Sequence, residues 1–225
     1  MKIFSIITAM AEEAELIIKK YALKKDKTLQ NITTFVGDYK KNEIVLVLTG
    51  LGKIQASIGT TFLLENYKVD YLVNIGLAGN VSDKNIKIGD IVILDRCFQH
   101  DFSISFPGDH DLYARQSIMI DNMIKDIDID RDFDIIHGCI NLTGDQFIED
   151  TKTIKGLKER FSPDTVDMEA YAILSVAREY NKLDKCLVIK AISDSATEDA
   201  KDNLFKNITL AMNNSIKVLD YFLTN

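Results

Sequence analysis

Short runs that are apolar almost throughout, separated by stretches with helical spacing, constrain this chain more than any other feature. Residues 2–7, 71–75, 90–94, 133–142 and 187–192 read as strands of this kind. A strand wetted on one face alternates apolar and polar residues, so a strand apolar on both faces needs cover on both. The covers are present. Residues 10–23, 53–67, 154–160, 169–180 and 204–222 read as helices. In the last of these, Leu204, Ile208, Ala211, Met212, Ser215, Val218, Leu219 and Phe222 recur at helical intervals. Residues 32–36 and 44–48 read as a β-hairpin turned by the polar stretch 37–42. The expectation is an α/β fold, with a largely parallel or mixed sheet covered on both faces.

Within 225 residues there is no internal repeat, low-complexity stretch or linker, and the only prolines are Pro107 and Pro163. One domain spanning residues 1–225 is expected. Residues 101–115 form the one long polar, turn-rich stretch, and loops of that length are often functional.

A net charge of −7 argues against nucleic-acid binding and against a basic membrane-surface helix. No apolar run is long enough to span a membrane. Lys2, a short apolar stretch and Ala9-Met10-Ala11 resemble a signal peptide. However, the stretch falls short of the usual apolar length of about 7–15 residues, and Glu12-Glu13 follows at once, so a first strand is expected. Cys97, Cys139 and Cys186 are odd in number, widely spaced and set in apolar runs, which fits buried reduced thiols and a cytoplasmic location.

Ligands of open α/β sheets bind beyond the carboxyl ends of the strands. Residues 9–13, 49–53, 76–79, 143–148, 166–169 and 192–194 occupy those positions, and they concentrate acids and glycines. Each acid alone has an ordinary explanation. Glu12, Glu13 and Glu169 suit the first turn of a helix, Asp194 suits a cap, and Asp145 suits a turn. Their joint placement at one sheet edge is what points to a site. Gly50-Leu51-Gly52 lacks the third glycine of a dinucleotide loop, and no phosphate loop is present. His100, His110 and His137 have no metal-ligand spacing, and there is no nucleophile elbow. Carboxylates are therefore the main chemical resource.

Residues 7–13, 49–53, 74–79, 89–92, 144–148, 166–170 and 191–194, in this order and spacing, resemble the 5′-methylthioadenosine/S-adenosylhomocysteine nucleosidases of the nucleoside phosphorylase family I superfamily. The resemblance implies a three-layer α/β/α sandwich with a mixed, barrel-like central sheet, a homodimer, and hydrolysis of an adenine–ribose bond without metal or cofactor. It implies that Asp194 protonates the purine and that Glu13 orients the attacking water. Met168 and Glu169 would contact the ribose. Phe147 would stack on adenine, the backbone of Ile148 would read its polar edge, and Ser193 would support Asp194. Leu51, Ala78 and Gly79 would complete the substrate site.

The chain departs from the family pattern at Leu77 (usually serine), Asn80 (usually glycine) and Lys190 (usually arginine). Loop 101–115 also departs; its Phe102, Ile104, Phe106 and Pro107 are candidates for the 5′-substituent pocket. Phosphorylases of the superfamily need an arginine soon after the first strand. Here Glu12 and Glu13 stand there and no arginine precedes Arg96, which favours water over phosphate. A related hydrolase or phosphorylase with another nucleoside, such as futalosine or inosine, stays open, as does a non-catalytic nucleoside-binding protein.

Overall fold

The computed structural model describes residues 1–102, 116–121, 123–124 and 126–225. In chain order the elements begin with β1 (Ile3–Thr8), α1 (Ala11–Tyr21), β2 (Lys24–Leu29), β3 (Ile32–Tyr39), β4 (Asn42–Leu48), α2 (Lys53–Asn66), β5 (Tyr71–Asn80) and β6 (Ile91–Gln99). They continue with β7 (Ser117–Met119), β8 (Ile135–Thr143), α3 (Thr151–Phe161), β9 (Thr165–Asp167), α4 (Ala170–Glu179), a short 3-10 turn (Leu183–Lys185), β10 (Cys186–Asp194) and α5 (Ala200–Thr224).

The sheet runs β10-β6-β8-β9-β5-β1-β4-β3-β2, and β10 pairs again with β5. That second pairing closes β10, β6, β8, β9 and β5 into a barrel, from which β1, β4, β3 and β2 extend. β1 is parallel to β4 and β5, and β5 to β10, whereas β6–β10, β5–β9 and β3–β4 are antiparallel. The expected mixed, barrel-like sheet is present.

Two cores explain why the strands are apolar throughout. Phe4, Ile6, Val73, Ile75, Leu187 and Ile189 pack toward α1 and α5. Their chain neighbours Ile7, Leu72 and Val188 pack toward α2 and α4. Each such side chain contributes about 1.5–3 kcal/mol on burial. Helices therefore cover both faces, as the three-layer expectation requires. Among the described residues no helix is long and apolar enough to cross a membrane.

The structure corrects several boundaries. The strand at 71–75 does not stop at Gly76 but runs to Asn80, because residues 76–79 pair with β10 between Lys190 and Asp194. Strands 90–94 and 187–192 likewise reach Gln99 and Asp194. The hairpin turn is not 37–42: β3 and β4 extend to Tyr39 and Asn42, and Lys40 takes the left-handed φ of 55° that a two-residue turn requires. β2 has no apolar signature, since Lys24–Leu29 is exposed throughout. Its lysines sit on a sheet edge, where charge discourages pairing with other chains.

Candidate active site

The ends of β1, β5 and β10, the segment after β8 and the start of α4 converge on a cleft of about 460 Å³. Glu13, Leu51, Ala78, Gly79, Phe147, Ile148, Met168, Glu169, Ser193 and Asp194 all line it. The structure thus brings together the residues given catalytic and substrate-binding roles from the sequence. Met10, from the strand-end segment 9–13, lines it as well, as do Leu204 and Phe205, which carry no sequence signal beyond apolarity. Ile104, Phe106 and Pro107 lie outside the described residues. Phe102 is described, stands exposed, and is absent from the cleft lining.

Glu13 sits in the first turn of α1, yet its side chain turns inward and is buried, whereas Glu12 is exposed. Its Oε2 accepts from Thr8 Oγ1 at 2.6 Å, Ala9 N at 3.1 Å and Met10 N at 2.9 Å. Its Oε1 accepts from Leu77 N at 3.0 Å. Helix-dipole compensation explains an acid in this turn. It does not explain a buried carboxylate that also takes a bond from β5.

Asp194 ends β10. Burial pushes its carboxyl above the ordinary carboxylate range, against bonds from Ser193 Oγ at 2.7 Å and Ala196 N at 2.8 Å that favour the charged form. Gly79 makes this arrangement possible: a Cβ there would lie 2.9 Å from Asp194 Oδ1.

Glu169 immediately precedes α4, and its Oε1 accepts from Gly52 N at 2.9 Å. Burial pushes its pKa up to about 7; Lys190 opposes the rise, while Asp167 and Glu13 add to it. A pH effect on stability follows. The folded protein holds this proton up to about pH 7, whereas an unfolded glutamate releases it near 4.5. Over that window the folded state binds more protons, so stability falls as pH rises, by at most about 3 kcal/mol. Glu169→Gln is expected to flatten this slope in urea melts between pH 4.5 and 7. A variant slope equal to that of the wild type would refute the assignment.

A buried ion pair lies beneath these acids. Lys190 Nζ is 2.7 Å from Asp167 Oδ2, with side-chain exposures of 2% and 1%. Asp167 also accepts from Thr143 Oγ1, Asn141 Nδ2 and Ala170 N, the last capping α4. Burial alone would raise the Asp167 pKa and lower that of Lys190; their mutual attraction reverses both. The sequence signal is a lysine inside a wholly apolar strand, which demands a buried partner. Among the described residues, no group of three or more His, Cys, Asp or Glu is placed to hold a metal ion.

A family model described as the phosphorylase superfamily matches residues 4–224. A 5′-methylthioadenosine/S-adenosylhomocysteine nucleosidase of Buchnera aphidicola subsp. Schizaphis graminum is 32% identical over 231 residues, covering 99% of this chain and 96% of the relative. One from Bacillus subtilis is 31% identical over 208 residues, covering 87% of each. Among solved structures, the S. pneumoniae nucleosidase of the same name, with the transition-state inhibitor MT-ImmA, superposes with a TM-score of 0.84 at 29% identity, covering 99% of this chain and 98% of that one. Futalosine hydrolase of Helicobacter pylori shares the fold, with a TM-score of 0.81 at 20% identity over 99% of this chain and 97% of that one.

Proposed function

The chain belongs to the phosphorylase superfamily and, within it, to the 5′-methylthioadenosine/S-adenosylhomocysteine nucleosidases, and from that premise we propose that it hydrolyses the N-glycosidic bond of 5′-methylthioadenosine, S-adenosylhomocysteine or both, releasing adenine and the S-substituted ribose. One observation carries the reading: the buried carboxyl groups of Glu13, Glu169 and Asp194 share one largely apolar cleft.

Adenine leaves poorly as an anion, so a proton must reach the base as the bond breaks. Asp194, raised by burial, supplies it. The sugar then gains oxocarbenium character, which nearby carboxylates stabilise. Glu13 orients and deprotonates the attacking water, and Glu169 holds ribose hydroxyls beside Met168. Phe147 stacks on the purine, and the backbone of Ile148 meets its polar edge. Ser193 donates to Asp194.

Water rather than phosphate is the acceptor in this reading. Among the described residues lining the cleft, Lys201 alone is a lysine or arginine, and Lys190 beneath it is committed to Asp167. A phosphate dianion would meet Glu13 without a cationic clamp. Incubation with each thionucleoside in phosphate-free buffer is expected to release adenine at a rate that added phosphate does not change. No adenine from either compound, or release that requires phosphate, overturns the proposal.

The apolar face of α2 supports a homodimer. Ile54 is 70% exposed and Ile58 43%, one turn apart, and Leu51 continues the stripe to the cleft. Sedimentation is expected to give twice the chain mass and Ile54→Glu to give monomer. A monomeric wild type at micromolar concentration removes this part of the reading. Three free, buried cysteines support a cytoplasmic location.

A further inference from the structure

Three segments meet beside the cleft, and one ionic ring ties them together. The first is the turn before α2, where Gly52 has a φ of 88° and leaves the helix without a side-chain cap. The second follows β8 and carries Phe147 and Ile148 into the cleft. The third is the end of β6, with Gln99 and Asp101.

Asp145 supplies the missing cap from outside the helix. Its Oδ1 accepts from Lys53 N at 2.7 Å, and its Oδ2 lies 3.7 Å from Lys53 Nζ. A Cβ at position 52 would lie 2.9 Å from that Oδ1, so glycine there lets the carboxylate approach. Asp101 closes the ring. Its Oδ1 accepts from Lys53 Nζ at 2.5 Å and from Gln99 Nε2 at 3.3 Å, while its Oδ2 accepts from Asp145 N at 2.8 Å. Lys53 and Asp101 each expose only 16% of their side chains, so little water screens the pair.

An acid at a helix N-terminus is ordinarily explained by the dipole. That explanation covers Asp145. It leaves out Asp101, which contacts the helix only through a lysine side chain and uses its other oxygen on the loop backbone. None of the three ring members lines the cleft. Their chain neighbours reach it all the same. Gly52 N donates to Glu169, and Phe147 follows Asp145 by two residues.

We infer that Lys53, Asp101 and Asp145 are positioning residues that lock the purine-stacking loop to the start of α2, and so set the enzyme's hold on the base. The inference rests on the nucleosidase reading, in which Phe147 stacks on the purine. That stack is already made in the substrate complex and with free adenine, and it persists in the transition state. Loosening the loop therefore weakens all three alike, which raises KM and spares kcat.

Lys53→Met is expected to raise KM for methylthioadenosine about tenfold with kcat changed less than about threefold. Calorimetry should give a Kd for adenine raised in the same proportion. Lys53→Arg, which keeps the cation, should return both toward wild-type values. Asp101→Asn preserves side-chain shape and should reproduce the KM effect even if Lys53→Met folds poorly. A folded variant with unchanged KM and unchanged adenine affinity overturns the inference, as does a fall in kcat at constant KM. A wild type that releases no adenine would instead sink the nucleosidase reading, and the adenine titrations would still decide whether the ring holds a base-binding loop.

Discussion

Asp194→Asn is expected to slow adenine release by about 10²–10⁴-fold while leaving the melting temperature nearly unchanged. The amide matches the carboxyl in shape but has no acidic proton to give the purine. Stability should survive because the surroundings can adapt. The introduced carbonyl can accept from Ala196 N as Oδ1 does now. The introduced NH₂ then faces Ser193 Oγ, a rotatable group that can accept instead of donate. Its own proton has a second acceptor in Ala78 O, 3.5 Å away. Kinetics at saturating substrate together with a thermal melt would check both halves, and a variant within tenfold of wild type would show that another group protonates the base.

The same residue sets a pH dependence. Two protein donors reach Asp194, which alone would hold it ionised, and burial outweighs them. A general acid works only while protonated, so the wild-type rate should fall as pH rises through this raised pKa. The residual rate of Asp194→Asn should lack that limb. A variant that keeps the wild-type limb would assign it to another group, and Glu169, raised to about 7, is the first alternative.

How much of this could be read in the sequence depends on whether a signal was local. The apolar strands were legible because each faces two cores and so contains hardly any polar residue. Strand ends were not. Gly76 and Gly79 look like turn residues, yet they lie within β5, where their missing side chains make room for Glu13 and Asp194. β2 was invisible because an exposed edge strand of lysines has no apolar pattern. The site acids were legible only as a set, through their places at strand ends and the family resemblance. Asp145 reads locally as a turn residue because its informative partners, Lys53 and Asp101, are 92 and 44 positions away. Lys190 stood out as a departure from an arginine, but nothing near it in sequence identified Asp167 as its partner.

Glu13→Gln is expected to reduce turnover as severely, by about 10²–10⁴-fold, and also to cost about 1–3 kcal/mol of stability. The difference from Asp194 lies in the donors. Three of the four groups bonded to Glu13 are backbone N–H groups that cannot turn: Ala9 and Met10 on Oε2, Leu77 on Oε1. An amide must point its NH₂ at one side or the other. At the Oε2 position it would face two backbone donors and at the Oε1 position only one, so the favoured rotamer puts NH₂ at Oε1 and strands Leu77 N. A carboxylate has about four acceptor sites, and Oε2 already takes three bonds while Oε1 takes one. The free acceptor site for a water is therefore on Oε1, which takes a bond from Leu77 N alone. The orientation that costs the fold least thus places a donor where the water must give up its proton. Urea melts and turnover measured on one preparation would test the pairing: full stability with lost activity would refute the donor conflict, and wild-type turnover would refute the water-activating role of Glu13.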